Sequence, residues 1–371
     1  GQPGKPENGP KMSPEPMAFY PQSAASTLRF VADSLVPDKF DFSIYSSIAI
    51  FVDDKVPLQF YEPILNRCSA DGVPCRHVSL TAGESLKEFE GWSGILDEMA
   101  EAGLDRSSLI VAIGGGSLGD AVGFAASIWN RGIPWIAVPT TLLAMVDAHL
   151  GGKTALHHGR IKNRIGSFHL PQEVWVNPDV LQTLPVRELR QGWAELIKAA
   201  LIGGEPFFNS LENGIPENLL PSEELIRRAM EVKVSIVNGD LKESGRRKVL
   251  NLGHTLAHAL EMERTDQGHR WAHGEAVSMG LVFACTMAEK MGLAEVPLTE
   301  KVSTLLELSG LPVRIEDAPE TDVLLDRIEK DKKSRGGRVS WILPERPGSM
   351  LIKELSREEV RDQLTDWIQK G

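Results

Sequence analysis

Leu109-Ile110-Val111-Ala112-Ile113-Gly114-Gly115-Gly116-Ser117-Leu118-Gly119-Asp120 is the stretch on which the fold turns. Five consecutive apolar residues read as a strand buried on both faces. A glycine-rich turn follows at once, and then a helix begins. A strand, a Gly-rich turn and a helix N-terminus together present backbone amides to a dinucleotide pyrophosphate. Alone, such a turn serves equally well as a tight strand-to-helix connection. It gains weight from Asp120 and from Val138-Pro139-Thr140-Thr141, where paired hydroxyls follow another buried strand. In an open α/β sheet both features fall at carboxyl ends of strands, where ligands bind.

Working outward, residues 47–52 and 135–138 also read as buried parallel strands. Residues 85–102 and 120–129 read as the helices between strands. The pattern predicts an open, Rossmann-like α/β sheet running from about Ser26 to Leu184. Pro185 marks a hinge. Beyond Glu188 strand signals nearly vanish, and helical periodicity covers 188–202, 222–239, 247–263, 273–291 and 298–309. A brief strand pair is expected within 337–343 and a closing helix over 356–370. Residues 1–18, rich in Pro, Gly, Lys and Glu, are expected to be a disordered tail. The expected division is therefore tail 1–18, α/β nucleotide-binding domain 19–184, and all-α domain 185–371 carrying metal and substrate.

The chain has 371 residues, enough for two domains and a large core. Its composition, 42% hydrophobic and 25% charged, is that of a soluble globular protein. A formal net charge of -11 argues against nonspecific nucleic-acid binding, which needs a basic face. It leaves room for an anionic small substrate in a local basic pocket. Cys68, Cys75 and Cys285 are too few and too irregularly spaced for a disulfide framework or a thiolate metal site. A cytoplasmic location is expected. No apolar run is long enough to span a membrane.

Three residues carry metal-ligand chemistry. Glu195 lies in Trp193-Ala194-Glu195-Leu196-Ile197-Lys198, His254 in Asn251-Leu252-Gly253-His254-Thr255, and His273 opens His273-Gly274-Glu275-Ala276-Val277. One carboxylate and two imidazoles with an open fourth position is the ligand set of a catalytic zinc. All three fall in segments that read as helix. His254 and His258 are four apart and share a helix face. A lone histidine there is more often a satisfied core residue. With Arg247 and Asn251 on nearly the same stripe, leaving so many polar groups buried without a ligand would cost several kcal/mol. Arg247 lies seven residues before His254 and is expected to project from the same helix face, while Arg246 and Lys248 face solvent. Gly151-Gly152-Lys153-Thr154 and Lys162-Asn163 read as a loop bringing amides and cations to an anion. Lys330-Asp331-Lys332-Lys333 reads as an exposed loop.

Taken in order, these blocks resemble the 3-dehydroquinate synthases of the sugar phosphate cyclase family. The resemblance covers most of 45–345. It rests on Gly114–Asp120, Arg131-Gly132-Ile133, Pro139–Asp147, Gly151–Thr154, Lys162-Asn163, Ala194–Lys198, Asn251–His254 and His273–Glu275. It implies zinc (or cobalt) on Glu195, His254 and His273. It implies NAD on Asp53, Glu84, Lys87, Gly114, Gly115, Gly116, Asp120, Thr140, Thr141, Lys162 and Thr183. Asp147 and Lys198 would serve the chemistry, with proton-transfer roles for Glu243 and His258. Substrate contacts would fall to Lys153, Asn163, Lys233, Arg247, Asn251 and one of Lys332 or Lys333. Arg131 would reach the neighbouring subunit's substrate, which implies a homodimer. The implied reaction converts 3-deoxy-arabino-heptulosonate 7-phosphate to 3-dehydroquinate and phosphate, in the shikimate pathway. It proceeds by NAD-cycled oxidation, phosphate elimination, reduction and aldol closure.

Departures from the family pattern bear on fine substrate choice. Ala148 and His149 follow Asp147 where small hydroxylated residues are usual, Leu241 follows Asp240, and the His254-to-His273 interval looks slightly long. The rivals are a cyclase acting on an amino analogue or on sedoheptulose 7-phosphate, and an NAD-dependent polyol dehydrogenase. Lys233 and Arg247 favour an acidic substrate over a neutral sugar. The intact metal ligands and lysines speak against a catalytically dead scaffold.

Overall fold

The computed structural model describes residues 26–240, 245–332 and 335–370. The expected tail at 1–18, Leu241, Glu243 and Lys333 lie outside them. The strands are β1 (Thr27–Phe30), β2 (Ile48–Asp53), β3 (Cys75–Leu80), β4 (Leu109–Gly114), β5 (Trp135–Pro139), β6 (Lys153–His158), β7 (Ile161–Phe168), β8 (Glu173–Val176), β9 (Arg264–Thr265), β10 (Gly268–His269), β11 (Arg338–Arg346) and β12 (Ser349–Ser356). The helices are α1 (Leu58–Ala70), α2 (Phe89–Glu101), α3 (Gly116–Ile128), α4 (Leu142–Val146), α5 (Val186–Gly203), α6 (Glu205–Ser210), α7 (Glu223–Gly239), α8 (His254–Glu261), α9 (His273–Lys290), α10 (Thr299–Leu308), α11 (Thr321–Lys332) and α12 (Arg357–Gln369).

A six-stranded, all-parallel sheet has the order β1-β8-β5-β4-β2-β3. Its central strands β4 and β5 are buried throughout, which is why they read as continuous apolar runs; β8, which opens with Glu173 and is not among the expected strands, is buried as well. Alternate residues feed opposite faces. Ile48, Ile50, Leu109, Val111 and Ile113 pack toward α1, whereas Ala49, Phe51, Ile110 and Ala112 join the larger core. That larger core runs without a break from the sheet into the helices. α5 and α9 form its centre and are buried along most of their length; α9 is apolar nearly all round, whereas α5 carries Glu195 and Lys198 into the interior.

Several expectations are corrected. The helix expected over 247–263 is a 3-10 segment, Arg246–Asn251, followed by α8. Gly253 separates them in a left-handed conformation, φ 78°. A β-carbon there would lie 2.9 Å from the Leu281 amide, and one on Gly280 would lie 2.0 Å from the Gly253 carbonyl. Backbone contact between α8 and α9 thus dictates the break. The loop expected from Gly151 to Asn163 is largely the antiparallel β6–β7 hairpin. The run at 330–332, read as an exposed loop, is the last turn of α11. The enlarged connection before His273 folds as the small β9–β10 hairpin.

Candidate active site

Three helices bring the metal-ligand set together. Glu195 projects from the middle of α5, His254 opens α8 and His273 opens α9. One ligand atom from each lies within 4.8 Å of the others. Both imidazoles aim Nε2 at Glu195 Oε1, at 3.2 Å from His254 and 3.0 Å from His273. Both Nδ1 atoms are engaged elsewhere, His254 with the Leu252 carbonyl at 3.1 Å and His273 with Glu261 Oε1 at 3.2 Å. With Nδ1–H donating, each Nε2 keeps its lone pair for a metal. Glu195 Oε2 is buried without a well-oriented hydrogen-bond partner, although Lys198 Nζ is 2.5 Å away. These atoms fit a divalent metal. Burial would raise the Glu195 carboxyl, but Lys198 and His254 hold it well below its ordinary range. Burial would lower His273, yet Glu195 and Glu261 outweigh it and raise that imidazole to about 10. Metal binding must displace that proton.

Beside the ligands lies a buried set of cations. Lys198 Nζ also donates to the Leu250 carbonyl at 2.7 Å. Lys233, on α7, donates to Asp147 Oδ1 and to its carbonyl, both at 2.5 Å. Burial lowers Lys233, and Asp147 offsets part of that. Arg247 is 2% exposed and donates to the Gly151 carbonyl at 3.1 Å. Arg246 and Lys248 are exposed, as expected, but the reason differs. Arg247 is buried by the turn that Asp240 ties, through its carboxylate, to the Gly245 and Arg247 amides. It does not share a continuous helix with His254. A β-carbon on Gly151 would sit 2.4 Å from Arg247 Nη2 and 3.8 Å from Lys233 Cε, so the two cations converge on that glycine. His258 stacks edge-on against His254, centroids 5.5 Å apart, and its Nδ1 meets Asp331 Oδ2 at 3.0 Å. That pairing places the end of α11, with Lys332, at the site.

The glycine turn forms the other wall. α3 starts at Gly116 with no side-chain cap, leaving its first amides for an anion. Thr141 packs against Gly115 and caps α4 by accepting from the Ala144 amide at 3.1 Å. Thr140 is buried beside it. Lys87 is buried and bridges Asp120 Oδ2, at 2.6 Å, to the Asn163 side-chain oxygen. Burial raises the Asp120 carboxyl, with Lys87 opposing. Lys162 lies 3.5 Å from Glu84. Asp53 ends β2, and burial raises its carboxyl. Gly114, Asp53 and Thr140 all lie at carboxyl ends of parallel strands or just beyond them, where an open sheet binds its ligand.

Thr183, Arg131, Lys153 and Asn251 complete the expected set within the described residues. The Thr183 hydroxyl donates to the Val180 carbonyl at 2.7 Å. Arg131 is exposed, at φ 68°, on the turn after α3. Lys153 is exposed at the start of β6, and Asn251, half-buried, ends the 3-10 segment; both have partners of their own. Two site residues were not singled out from sequence. Glu261 holds His273. His157, 7% exposed, has Nε2 at 3.0 Å from Glu84 and accepts the Asn163 amide at Nδ1.

The sequence relatives agree with this geometry. Residues 77–191 match the profile of the 3-dehydroquinate synthase N-terminal domain, and 192–334 match that of the C-terminal domain. The 3-dehydroquinate synthase of Coxiella burnetii (strain RSA 331 / Henzerling II) is 38% identical over 91% of this chain and 92% of its own. That of Thermodesulfovibrio yellowstonii is 37% identical over 88% and 91%. The chain belongs to the 3-dehydroquinate synthase family. Among solved structures, the 2-epi-5-epi-valiolone synthase of Streptomyces hygroscopicus subsp. jinggangensis 5008, with NAD+ and Zn2+ bound, superposes with a TM-score of 0.81. It shares 25% identity and covers 96% of this chain and 99% of its own. A 2-deoxy-scyllo-inosose synthase complexed with carbaglucose-6-phosphate, NAD+ and Co2+ has the same fold, with a TM-score of 0.76 at 23% identity over 92% and 96%.

Proposed function

We propose that this member of the 3-dehydroquinate synthase family converts 3-deoxy-arabino-heptulosonate 7-phosphate to 3-dehydroquinate and phosphate. The observation that carries the reading is the convergence of Lys233 and Arg247 on Gly151, close to the Glu195, His254 and His273 cluster. A metal-ligand set alone would serve any cyclase or a dehydrogenase. Two buried cations beside it suit a substrate carboxylate, which a neutral sugar lacks.

The residues divide the work. NAD would lie on the glycine turn, held by Gly114, Gly115, Gly116, Asp53, Glu84, Lys87, Asp120, Thr140, Thr141, Lys162 and Thr183. Glu195, His254 and His273 would hold zinc or cobalt. When bound, the metal supplies Lewis acidity to substrate hydroxyls and NAD a reversible hydride store. Lys198 and Asp147 place charge against the reacting end of the substrate. His258 has Nδ1 committed to Asp331, so its Nε2 is the atom left to take or give a proton. Glu243 would share that task. Lys153, Asn163, Asn251 and Lys332 or Lys333 complete the substrate grip, mainly by positioning. We place the nucleotide on residues 19–184 and the metal on 185–371, and we read the assembly as a homodimer in which Arg131 serves the neighbouring site. No helix among the described residues is long and apolar enough to cross a membrane, and the three cysteines are unpaired, which suits the cytoplasm.

The deciding assay measures phosphate release from the heptulosonate phosphate, with sedoheptulose 7-phosphate alongside, while following reduced nicotinamide by absorbance. Turnover of the acid without accumulation of NADH is expected. Preference for the neutral sugar would overturn the substrate, and stoichiometric NADH would replace the cyclase with a dehydrogenase.

A further inference from the structure

We propose that Glu261 is a positioning residue of the metal centre: its carboxylate fixes the tautomer and aim of His273 and thereby sets how tightly the metal is held. The inference rests on the metal reading above. Glu261 closes α8, the helix that His254 opens, so one short helix carries a ligand at its first residue and the ligand's support at its last. The two are seven residues apart and lie on the same face. Glu261 Oε1 is 3.2 Å from His273 Nδ1, and its side chain is only 14% exposed.

The two histidine ligands are supported unequally. His254 Nδ1 rests on a neutral backbone carbonyl, that of Leu252, and His273 Nδ1 on a full carboxylate. An ionised acceptor makes the ring a better donor to a metal through Nε2. The last turn of a helix is also an unfavourable place for a carboxylate, because the helix dipole is negative there. Its placement at that end needs a compensating partner, and His273 is one. The main chain of the same residue adds a second restraint. The Glu261 carbonyl receives His269 Nδ1 at 2.6 Å, which ties the β9–β10 hairpin at the point where the chain turns toward His273. Substituting the side chain leaves that tie in place. The competing account is a plain ion pair that stitches α8 to α9. It would affect the stability of the metal-free chain and not the metal.

The test uses the full chain, stripped with chelator and titrated with zinc against a chromophoric competitor. The variants are Glu261→Gln and Glu261→Ala. Zinc affinity should weaken about 10- to 100-fold in the alanine variant. The loss should be smaller in the glutamine variant, whose amide oxygen still accepts Nδ1–H without the charge. Loaded with Co2+, the glutamine variant should show a shifted visible spectrum, which a purely structural pair would not cause. If the alanine variant fails to fold, the glutamine variant decides. Equal zinc affinities with superposable Co2+ spectra would overturn the role of Glu261 and leave the metal centre standing. A wild-type chain that takes up no zinc would overturn the metal reading and this proposal with it.

Discussion

Arg247 carries the substrate assignment at the scale of a single residue. Its burial against Gly151 makes it a rigid planar donor, suited to a carboxylate in two-point contact. Truncating one side of such a buried, charge-assisted pair costs about 2–5 kcal/mol. Arg247→Ala should therefore lower kcat/KM roughly thirtyfold or more. It should also lose most of its preference for the heptulosonate phosphate over sedoheptulose 7-phosphate. Arg246→Ala, on an exposed side chain, should change little. Equal losses on both substrates would mean that Arg247 only supports the fold. His149 makes a second residue-scale prediction. It is 4% exposed, neither ring nitrogen has a hydrogen-bond partner of good geometry, and burial holds its imidazole down to about 4. Unfolded, it titrates near 6.5. Between those values the unfolded chain binds a proton that the folded chain refuses, so acidification favours unfolding. The full effect is about 3 kcal/mol, absent above the unfolded value and complete below the folded one. His149→Gln should flatten the stability curve between pH 6.5 and 4, as read by urea unfolding at several pH values. An unchanged slope would show that other groups set the acid limit.

The contact of α8 with α9 belongs to the scale of elements. Gly253 and Gly280 meet backbone to backbone, and this junction sets the start of the helix that His254 opens. Gly280→Ala would drive a β-carbon into the Gly253 carbonyl and should cost about 2 kcal/mol or more. Metal affinity should fall with it, because His254 moves with the junction. Gly94→Ala provides the opposite sign. That glycine lies inside α2 with nothing near its absent β-carbon. Alanine there should stabilise by about 0.5–1 kcal/mol. Thermal unfolding of the two variants beside the wild type checks both directions. A Gly280→Ala chain as stable as the wild type would mean that α8 and α9 can slide apart at no cost.

At the scale of the whole molecule, metal and assembly are testable together. Metal binds the folded chain through residues on three separate helices, so it should raise the unfolding temperature in proportion to the logarithm of its free concentration. His273→Ala should abolish that rise along with turnover. Full activity in chelator-treated protein would sink the metal reading. For assembly, Arg131→Ala and Lys198→Ala chains should each be nearly inactive alone. Mixed under conditions of subunit exchange, they should regain roughly a quarter of wild-type activity if Arg131 serves the opposite site. Half of the dimers would be mixed, each with one intact site of two. No recovery would place Arg131 in its own subunit's site, and an Arg131→Ala chain fully active on its own would place it in none.

The central strands β4 and β5, the buried helices α5 and α9, and the ligands Glu195, His254 and His273 were legible in the sequence by itself. Each rests on a local signal, a continuous apolar run, a helical period or a short motif that needs no distant partner to be read. The edge strands β1 and β3 were not legible, because half-exposed strands are short and their alternation is interrupted by charge. The same holds for α11, whose polar surface hides its period, and for Asp331, which matters only because α11 brings it to His258. The seven-residue stripe from Arg247 to His254 led to the right buried residue through the wrong geometry. Gly253 breaks the helix to let two backbones touch, and helical periodicity contains no term for such a contact. Glu261 carries no signal of its own in the sequence; its role comes from His273, twelve residues on, which the fold brings beside it. Sequence alone thus determined the buried strands, the core helices and the metal-ligating groups, which follow from local propensity and pattern. Tertiary structure alone decided which polar groups meet, because a buried charge takes its meaning from partners that only folding brings within about 3 Å.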